Sequence, residues 1–182
     1  AYEEGKRLFV SESDITAFDN GLHASFRAMF YGANSQTSEI MCDGFNATVN
    51  YNNHYGAEHM ANETFNAGSQ FVETVWANNY GAIKNYNIAI ANADNVDPSL
   101  RAAARYLKGD GYFYRACSYL TLARHFAKAY DASTAGTELC VPLVLVYNQL
   151  EKPARATVKA VYDQIKADLD SAAVIFAKVE GE

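Results

Sequence analysis

The sequence predicts a mainly α-helical chain of antiparallel helix hairpins. Apolar residues recur at helical spacing over several long segments. Residues suited to helix starts, such as Ser, Thr and Asp-Pro, stand before these segments. The β-prone stretch 140–147 is short and interrupted by Pro142, so it is an edge strand at most. These observations favour one all-α domain spanning residues 1–182.

The first helix is predicted from Asp14 to Tyr31, with Ser11 or Ser13 as its N-cap. Its apolar positions follow the spacing of a single helix face: Ile15, Phe18, Leu22, Phe26, Met29 and Phe30. The run 32–35 breaks the pattern, and 39–42 is expected to form a further short helical piece. An amphipathic first helix that packs on later helices follows from this spacing.

Residues 43–70 differ from the rest, because they are rich in Asn, Gly and aromatic residues and show no sustained period. We predict a long irregular loop here. Loops longer than about 12–15 residues are uncommon in compact domains and are often functional. This loop is therefore the first place to look for a ligand site.

Two long helices are predicted next, from Phe71 to about Asn95 and from Pro98 to Tyr130. The first carries a stripe at spacings of 4, 3, 4 and 3: Trp76, Tyr80, Ile83, Asn87 and Ile90. Asp97 and Pro98 suit the N-cap and first position of the second helix. Gly109 and Gly111 lie inside that helix and predict that another chain segment packs closely there.

The last part of the chain predicts a turn at 132–136, a linker at 152–155 and a final helix capped by Thr157 that ends near Glu180. The final helix has one apolar face: Val161, Tyr162, Ile165, Leu169, Ala172, Ala173 and Phe176. This face needs a partner, as in helix-hairpin repeats that stack on their neighbours. The predicted architecture is therefore of the tetratricopeptide-like, α–α superhelical type.

Composition excludes several classes of protein. The net charge of −6 argues against nucleic-acid binding, which needs a basic surface. No apolar run approaches the roughly 20 residues of a membrane-spanning helix, and the N-terminus shows no signal-peptide core. The cysteines are odd in number and lack CxxC spacing, which disfavours a disulfide framework or a zinc-finger site but leaves one bridge possible: Cys42, Cys117 and Cys140.

No catalytic motif is present. The segment 109–111 lies within a helical pattern rather than after a strand, which excludes a dinucleotide cradle, and no GxSxG or HExxH occurs. A metal site built from Asp43, His54, Glu58 and His59 is conceivable, but solvated loop histidines are the favoured interpretation. His23 and His125 are expected to be hydrogen-bonded helix-edge residues, and Asp168 and Asp170 a solvated helix face. We therefore expect neither an enzyme nor a cofactor.

The loop segment 50–55 offers binding chemistry without catalysis. Tyr rings can stack on the apolar faces of sugars, while Asn and His side chains can hydrogen-bond sugar hydroxyls. The candidate ligand-binding residues are Asn50, Tyr51, Asn53, His54 and Tyr55. The alternative is that these side chains pack onto the domain, and the sequence leaves both open.

Four segments together resemble the SusD/RagB family. They are the W-x₃-Y-x₂-I-x₃-N-x₂-I pattern of 76–90, the stretch GDGYFYRA at 109–116 with its continuation to Phe126, the VPL of 141–143, and the run RATV at 155–158 with its continuation to Ala172. Ala127 and Asp110 depart mildly from the Gly and Glu of the family pattern. Each segment alone is weak, and their common order makes the match specific.

The resemblance implies a surface lipoprotein of the bacterial outer membrane that binds a nutrient glycan and delivers it to a SusC-like TonB-dependent transporter. Family members are longer, so the chain resembles their N-terminal, tetratricopeptide-like part; the lipid anchor and signal peptide are not in this chain. The resemblance gives structural roles to Trp76, Tyr80, Arg115 and Tyr162, with Arg115 fixing a helix pair through carbonyls or a carboxylate such as that of Asp110. The alternative function is a helical-repeat scaffold that binds only protein.

Overall fold

The structure, a computed structural model, describes residues 7–31, 33–42, 55–60, 66–148 and 150–179. Its helices are α1 (Glu12–Phe30), α2 (Ala33–Met41), α3 (Gly56–Met60), α4 (Gln70–Asn92), α5 (Arg101–Phe126) and α6 (Val158–Val179). Two short strands, β1 (Leu139–Pro142) and β2 (Arg155–Thr157), lie between α5 and α6. The predicted mainly helical class is confirmed.

Helix α1 begins where its sequence offers a capping box. The Ser11 Oγ accepts a hydrogen bond from the Asp14 N–H at 3.2 Å, and Asp14 Oδ2 accepts from the Ser11 N–H at 2.9 Å. Two N–H groups that no helical carbonyl can satisfy are thereby paired. Ser11 rather than Ser13 is thus the cap, and the helix begins at Glu12, two residues before the predicted start.

Helices α4, α5 and α6 form successive antiparallel hairpins. Going up α5, Gly111 faces Ile90 and Arg115 faces Asn87 of α4, while Gly109 and Arg115 face Phe176 and Asp168 of α6. A Cβ at Gly111 would lie 3.4 Å from a backbone oxygen of α4. The predicted close approach at the two glycines is confirmed, because a side chain at either position would crowd a neighbouring helix.

Helix α1 runs beside α5 in the same direction. His23 and Phe26 contact Tyr114, and the Met29 thioether accepts a hydrogen bond from the Ser118 hydroxyl at 3.3 Å. The core lies where α1, α4, α5, α6 and β1 meet. Its largest completely buried apolar side chains are Tyr86, Tyr119, Phe9, Leu22, Ile83, Leu107, Leu122, Val75, Val141, Val158 and Val161.

An antiparallel ribbon of β1 and β2 links α5 to α6. Leu139 pairs with Thr157, and Pro142 pairs with Arg155. The Arg155 side chain donates to the backbone oxygen of Leu139 at 3.0 Å and also to that of Cys140. The sequence predicted a linker at 152–155 and missed β2, because a three-residue strand is too short to show alternation.

Several predicted boundaries were wrong. Helix α2 begins at Ala33 instead of residue 39, although its buried apolar anchor is Ile40 near its end. A 3₁₀ turn (Pro98–Leu100) precedes α5, which ends at Phe126 because Ala127 adopts an extended conformation. Asp97 occupies the N-cap position without a side-chain cap and instead forms a 2.9 Å ion pair with Arg7.

The predicted irregular loop at 43–70 is only partly described. Within it, Gly56–Met60 forms the short helix α3 and α4 begins at Gln70, which differs from the prediction. All three cysteines lie in the described part of the chain and none is in a disulfide: Cys42 is exposed, Cys117 half-buried and Cys140 buried. None of the described helices has the length and apolar character needed to cross a membrane.

Candidate functional site

Four of the five predicted ligand-binding residues, Asn50, Tyr51, Asn53 and His54, lie outside the described residues. Tyr55 is half-buried at the turn that leads into α3. The assignment of segment 50–55 to a glycan site therefore stays a prediction.

The loop metal site considered from the sequence can be followed only in part. Asp43 and His54 lie outside the described residues, whereas Glu58 is buried. The His59 Nδ1 lies 3.2 Å from the backbone oxygen of Ile40. Since a carbonyl can only accept, this contact places the imidazole proton on Nδ1. His59 thus ties α3 to α2.

An open apolar cleft lies where α4 begins and α5 ends. Its volume is about 570 Å³, which is within the size range of small-molecule sites. The lining residues are Ala67, Val72, Glu73, Trp76, Ala77 and Phe126. Glu73 is an acidic residue within an otherwise apolar lining, so the cleft combines aromatic surface with a hydrogen-bond acceptor.

Trp76 gives the cleft its aromatic wall. Its ring centroid lies 4.9 Å from that of Tyr80 and 5.1 Å from that of Phe126, which meets it edge-on at 87°. Trp76 nevertheless keeps 37% of its surface exposed. The resemblance implied a purely structural role for this residue. The structure places it at the rim of the helix pair, because the edge-on Phe126 covers only part of the indole.

Tyr80, Asn87 and Tyr119 fix the chain that follows β1. The Tyr80 hydroxyl donates to the backbone oxygen of Pro142 at 2.8 Å, and the Asn87 side chain and the Tyr119 hydroxyl both donate to that of Val144, at 2.8 and 2.9 Å. Burial raises the pKa of the Tyr119 phenol to about 12, so it remains a neutral donor at physiological pH. These contacts position residues 142–144 without offering a free polar group.

Arg115 lies at the centre of a buried polar network. Its Nε and Nη2 donate to the two carboxylate oxygens of Asp168 at 2.8 and 2.6 Å, and Nη1 donates to the Asn87 side-chain oxygen at 2.8 Å. The two charged side chains are 6% and 2% exposed. Arg115 therefore joins α4, α5 and α6, and its carboxylate partner is Asp168 rather than Asp110.

The expectation of a solvated face at 168 and 170 was half wrong. Asp168 is buried and also accepts from the Gln164 side chain at 2.9 Å, whereas Asp170 is exposed and pairs with Lys166. The predicted structural residue Tyr162 packs its ring edge-on against Tyr130, with centroids 5.1 Å apart. The spacing placed both aspartates on α6 but could not show that Arg115 lies opposite one of them.

A second polar cluster joins α1 to α5. The His23 Nε2 lies 3.4 Å from an oxygen of Asp19 and 3.5 Å from an oxygen of Asp110, while Nδ1 lies 2.6 Å from the Tyr114 hydroxyl. Burial, followed by the charge of Asp19, raises the pKa of Asp110 to about 6. The prediction of a hydrogen-bonded helix-edge residue at His23 agrees with its contact to Tyr114, but the two aspartates beside it were not predicted. The i, i+4 spacing of Asp19 and His23 was the signal that could have indicated the cluster.

Comparison with known proteins decides the family. Residues 4–180 match a SusD-like family described as "Starch-binding associating with outer membrane". The chain belongs to this SusD-like family. The resemblance seen in the sequence is thus confirmed, and the match extends over nearly the whole chain. No curated protein matches it.

Solved structures of SusD-like proteins share the fold. A candidate sugar binding protein from Bacteroides vulgatus ATCC 8482 matches with a TM-score of 0.71, 23% identity and coverage of 93% of this chain and 38% of its own. A SusD superfamily protein from the same organism matches with a TM-score of 0.69 and 21% identity, and the match covers 92% of this chain and 38% of that protein. A SusD superfamily protein from Bacteroides thetaiotaomicron VPI-5482 matches with a TM-score of 0.66 and 20% identity, and the match covers 91% of this chain and 37% of that protein. The chain spans well under half the length of these proteins.

Proposed function

We propose that this SusD-like chain is part of a non-catalytic glycan-binding protein of the bacterial outer-membrane surface. The observation that carries the proposal is the family match over residues 4–180, together with the family's description as starch-binding and associated with the outer membrane. The solved relative from Bacteroides vulgatus, named as a candidate sugar binding protein, supports the same ligand class.

The Trp76 cleft supplies suitable binding chemistry within the described residues. A sugar ring presents C–H groups on its faces and hydroxyls around its edge. A partly exposed indole can cover the C–H face, and the Glu73 carboxylate at the same cleft can accept hydrogen bonds from hydroxyls. Binding of this kind needs no nucleophile, general base or cofactor. The proposal therefore requires no catalytic residue.

The predicted segment 50–55 is the second element of the proposed site. Its Tyr51 and Tyr55 would offer rings for stacking on a sugar, and Asn50, Asn53 and His54 would form hydrogen bonds with sugar hydroxyls. We propose that the bound oligosaccharide passes to a SusC-like TonB-dependent transporter, with a lipid anchor on the complete protein. Membership of a family described as associated with the outer membrane supports both points.

The first test measures glycan affinity of a Trp76→Ala variant. Loss of the exposed indole should weaken binding of starch oligosaccharides about five- to tenfold, which corresponds to about 1–1.4 kcal/mol for one partly exposed aromatic contact. Affinity electrophoresis and isothermal titration calorimetry report this directly. Tyr106→Ala is the matched control, because Tyr106 is an exposed aromatic of α5 that does not line the cleft.

Equal weakening by both variants would show a general loss of structure, and unchanged affinity in Trp76→Ala would remove the cleft from the site. Tyr51→Ala and Tyr55→Ala test the loop in the same assays. If no glycan is retained while a transporter barrel co-purifies, the chain is the protein-binding scaffold that the sequence left as the alternative.

A further inference from the structure

We propose that Asp19, His23 and Asp110 form a transition-metal site between α1 and α5, with Zn²⁺ as the ion that fits best. One ligand atom from each residue lies within 4.8 Å of the others. The donor set of one imidazole and two carboxylates is one that zinc accepts in proteins, with water completing four-coordination. The proposed site is distinct from the Trp76 cleft, and neither proposal depends on the other.

The separations between the donor atoms suit a tetrahedral ion. Zinc lies about 2.0–2.1 Å from imidazole nitrogens and about 2.0–2.2 Å from carboxylate oxygens, so two of its tetrahedral ligands stand roughly 3.3–3.5 Å apart. The His23 Nε2 lies 3.4 Å from the Asp19 oxygen and 3.5 Å from the Asp110 oxygen. Two of the three donor separations therefore match a tetrahedral ion, and the third, between the two carboxylates, is within 4.8 Å.

Tyr114 orients the imidazole for coordination. Its hydroxyl lies 2.6 Å from His23 Nδ1, and its ring stacks on Phe26 with centroids 4.2 Å apart. When the hydroxyl accepts the Nδ1 proton, the Nε2 lone pair points towards the two carboxylates. Metal-binding histidines usually have such a partner on their other nitrogen, which fixes the tautomer and the ring plane.

The charge balance of the cluster also favours a cation. Asp19 Oδ1 is buried and has no hydrogen-bond partner among the described residues. Across that same part of the chain, His23 is the one basic side chain within ion-pair distance of either carboxylate, while nearby Lys108 and Arg115 pair with Asp94 and Asp168. A divalent ion would neutralise both carboxylates.

The nitrogen donor and the small number of ligands select the kind of ion. Magnesium and calcium take about six or more oxygen ligands, whereas an imidazole with carboxylates suits zinc and its neighbours. The His23 side chain is 52% exposed, so the cluster lies at the protein surface, where an ion can enter from solvent. The competing occupant is a single proton shared between the two carboxylates.

The experiment titrates the chelator-treated full chain with ZnCl₂ by isothermal titration calorimetry, with MgCl₂ in a parallel series. We expect one Zn²⁺ per chain, a rise in Tm with Zn²⁺ and no response to Mg²⁺. His23→Gln should weaken Zn²⁺ binding by at least about tenfold, and Tyr114→Phe should weaken it about tenfold through loss of the orienting hydroxyl. His125→Gln is the matched control: His125 lies near the end of α5, away from the cluster, and this variant should bind Zn²⁺ as the wild type does.

Circular dichroism of each variant establishes that it is folded. Equal Zn²⁺ affinity in wild type and His23→Gln would overturn the proposal, because the ion would then bind elsewhere. So would a folded wild type that takes up no Zn²⁺ below millimolar concentration, in which case the cluster binds only a proton. Glycan affinity measured in the presence of chelator keeps this outcome separate from that of the Trp76 cleft.

Discussion

Helix α5 carries two polar clusters of opposite character a little over one turn apart. At Arg115, one guanidinium meets one carboxylate in a buried setting, and Asn87 and Gln164 complete the hydrogen bonds. At Asp110, two carboxylates meet one half-exposed imidazole, and one carboxylate oxygen has no partner within the described residues. Charge balance and burial therefore separate the cluster that joins helices from the cluster that we propose as an ion site.

The largest expected effect comes from breaking the buried cluster of Arg115 and Asp168, in which one positive charge meets one negative charge. Asp168→Asn leaves the buried Arg115 charge without its counter-ion, and loss of one partner of a buried pair costs about 3–5 kcal/mol. Urea unfolding followed by circular dichroism measures the change. Asp170→Asn removes an exposed carboxylate two residues away that pairs with Lys166, and it should cost no more than about 0.5 kcal/mol. Similar losses of unfolding free energy in the two variants would contradict the view that Asp168 is a buried counter-ion and Asp170 a solvated one.

A smaller effect is expected from crowding the contact between α5 and α6 at Gly109. In Gly109→Ala the new Cβ would lie 2.7 Å from the Phe176 ring, so α5 and α6 must separate or Phe176 must move, at a cost of about 1–3 kcal/mol. Gly21→Ala is the matched control in α1, where a Cβ meets nothing within 4 Å. It should stabilise by up to about 1 kcal/mol through helix propensity. Stabilisation by both substitutions would show that the α5–α6 contact is looser than described.

The third expected effect concerns the cluster of Asp19, His23 and Asp110 and its pH dependence. The full pKa difference of Asp110 corresponds to about 3 kcal/mol, and solvent screening of this partly exposed carboxyl reduces the expected effect to about 1–2 kcal/mol. The folded state raises the pKa of Asp110 from its usual 3.8 to about 6, mainly through burial, and therefore binds a proton more tightly than the unfolded state. The resulting stability is present below about pH 4 and is lost as the pH rises to about 6. We expect Asp110→Asn to abolish this decline in denaturant titrations with EDTA.

The stability difference between wild type and Asp110→Asn, plotted against pH, isolates this group. Asp170→Asn again serves as control, because its exposed carboxylate should leave the shape of the curve unchanged. Under the metal proposal, added Zn²⁺ should reverse the slope, since coordination requires deprotonated carboxylates. A flat difference curve in EDTA would mean that Asp110 is solvated in the folded protein.

The sequence predicted the helices well and their partners poorly, for a physical reason. The spacing of Trp76, Tyr80 and Ile83 reports a helical period that can be read within one short segment of sequence. The pairing of Arg115 with Asp168 joins residues far apart in the chain, so the local sequence of neither residue shows that the two side chains meet. Polar residues on an otherwise apolar face were the available signal.

The candidate sites show the same limit. The exposure of Trp76 depends on the angle at which Phe126 meets it, a tertiary detail that periodicity does not encode. The cluster of Asp19, His23 and Asp110 required the register between α1 and α5. By contrast, the loop residues 50–55 were singled out by composition alone, and their role awaits the variants described above.

The hydrogen bonds to residues 142–144 imply an order of events during synthesis. The Tyr80, Asn87 and Tyr119 side chains leave the ribosome before the carbonyl groups that they will meet at Pro142 and Val144. Until those carbonyls are synthesised, packing of α4 on α5 would bury these polar side chains without hydrogen-bond partners, which is unfavourable in free energy. We therefore expect a nascent chain ending shortly after α5 to remain protease-sensitive, and resistance to appear only once the ribbon has emerged.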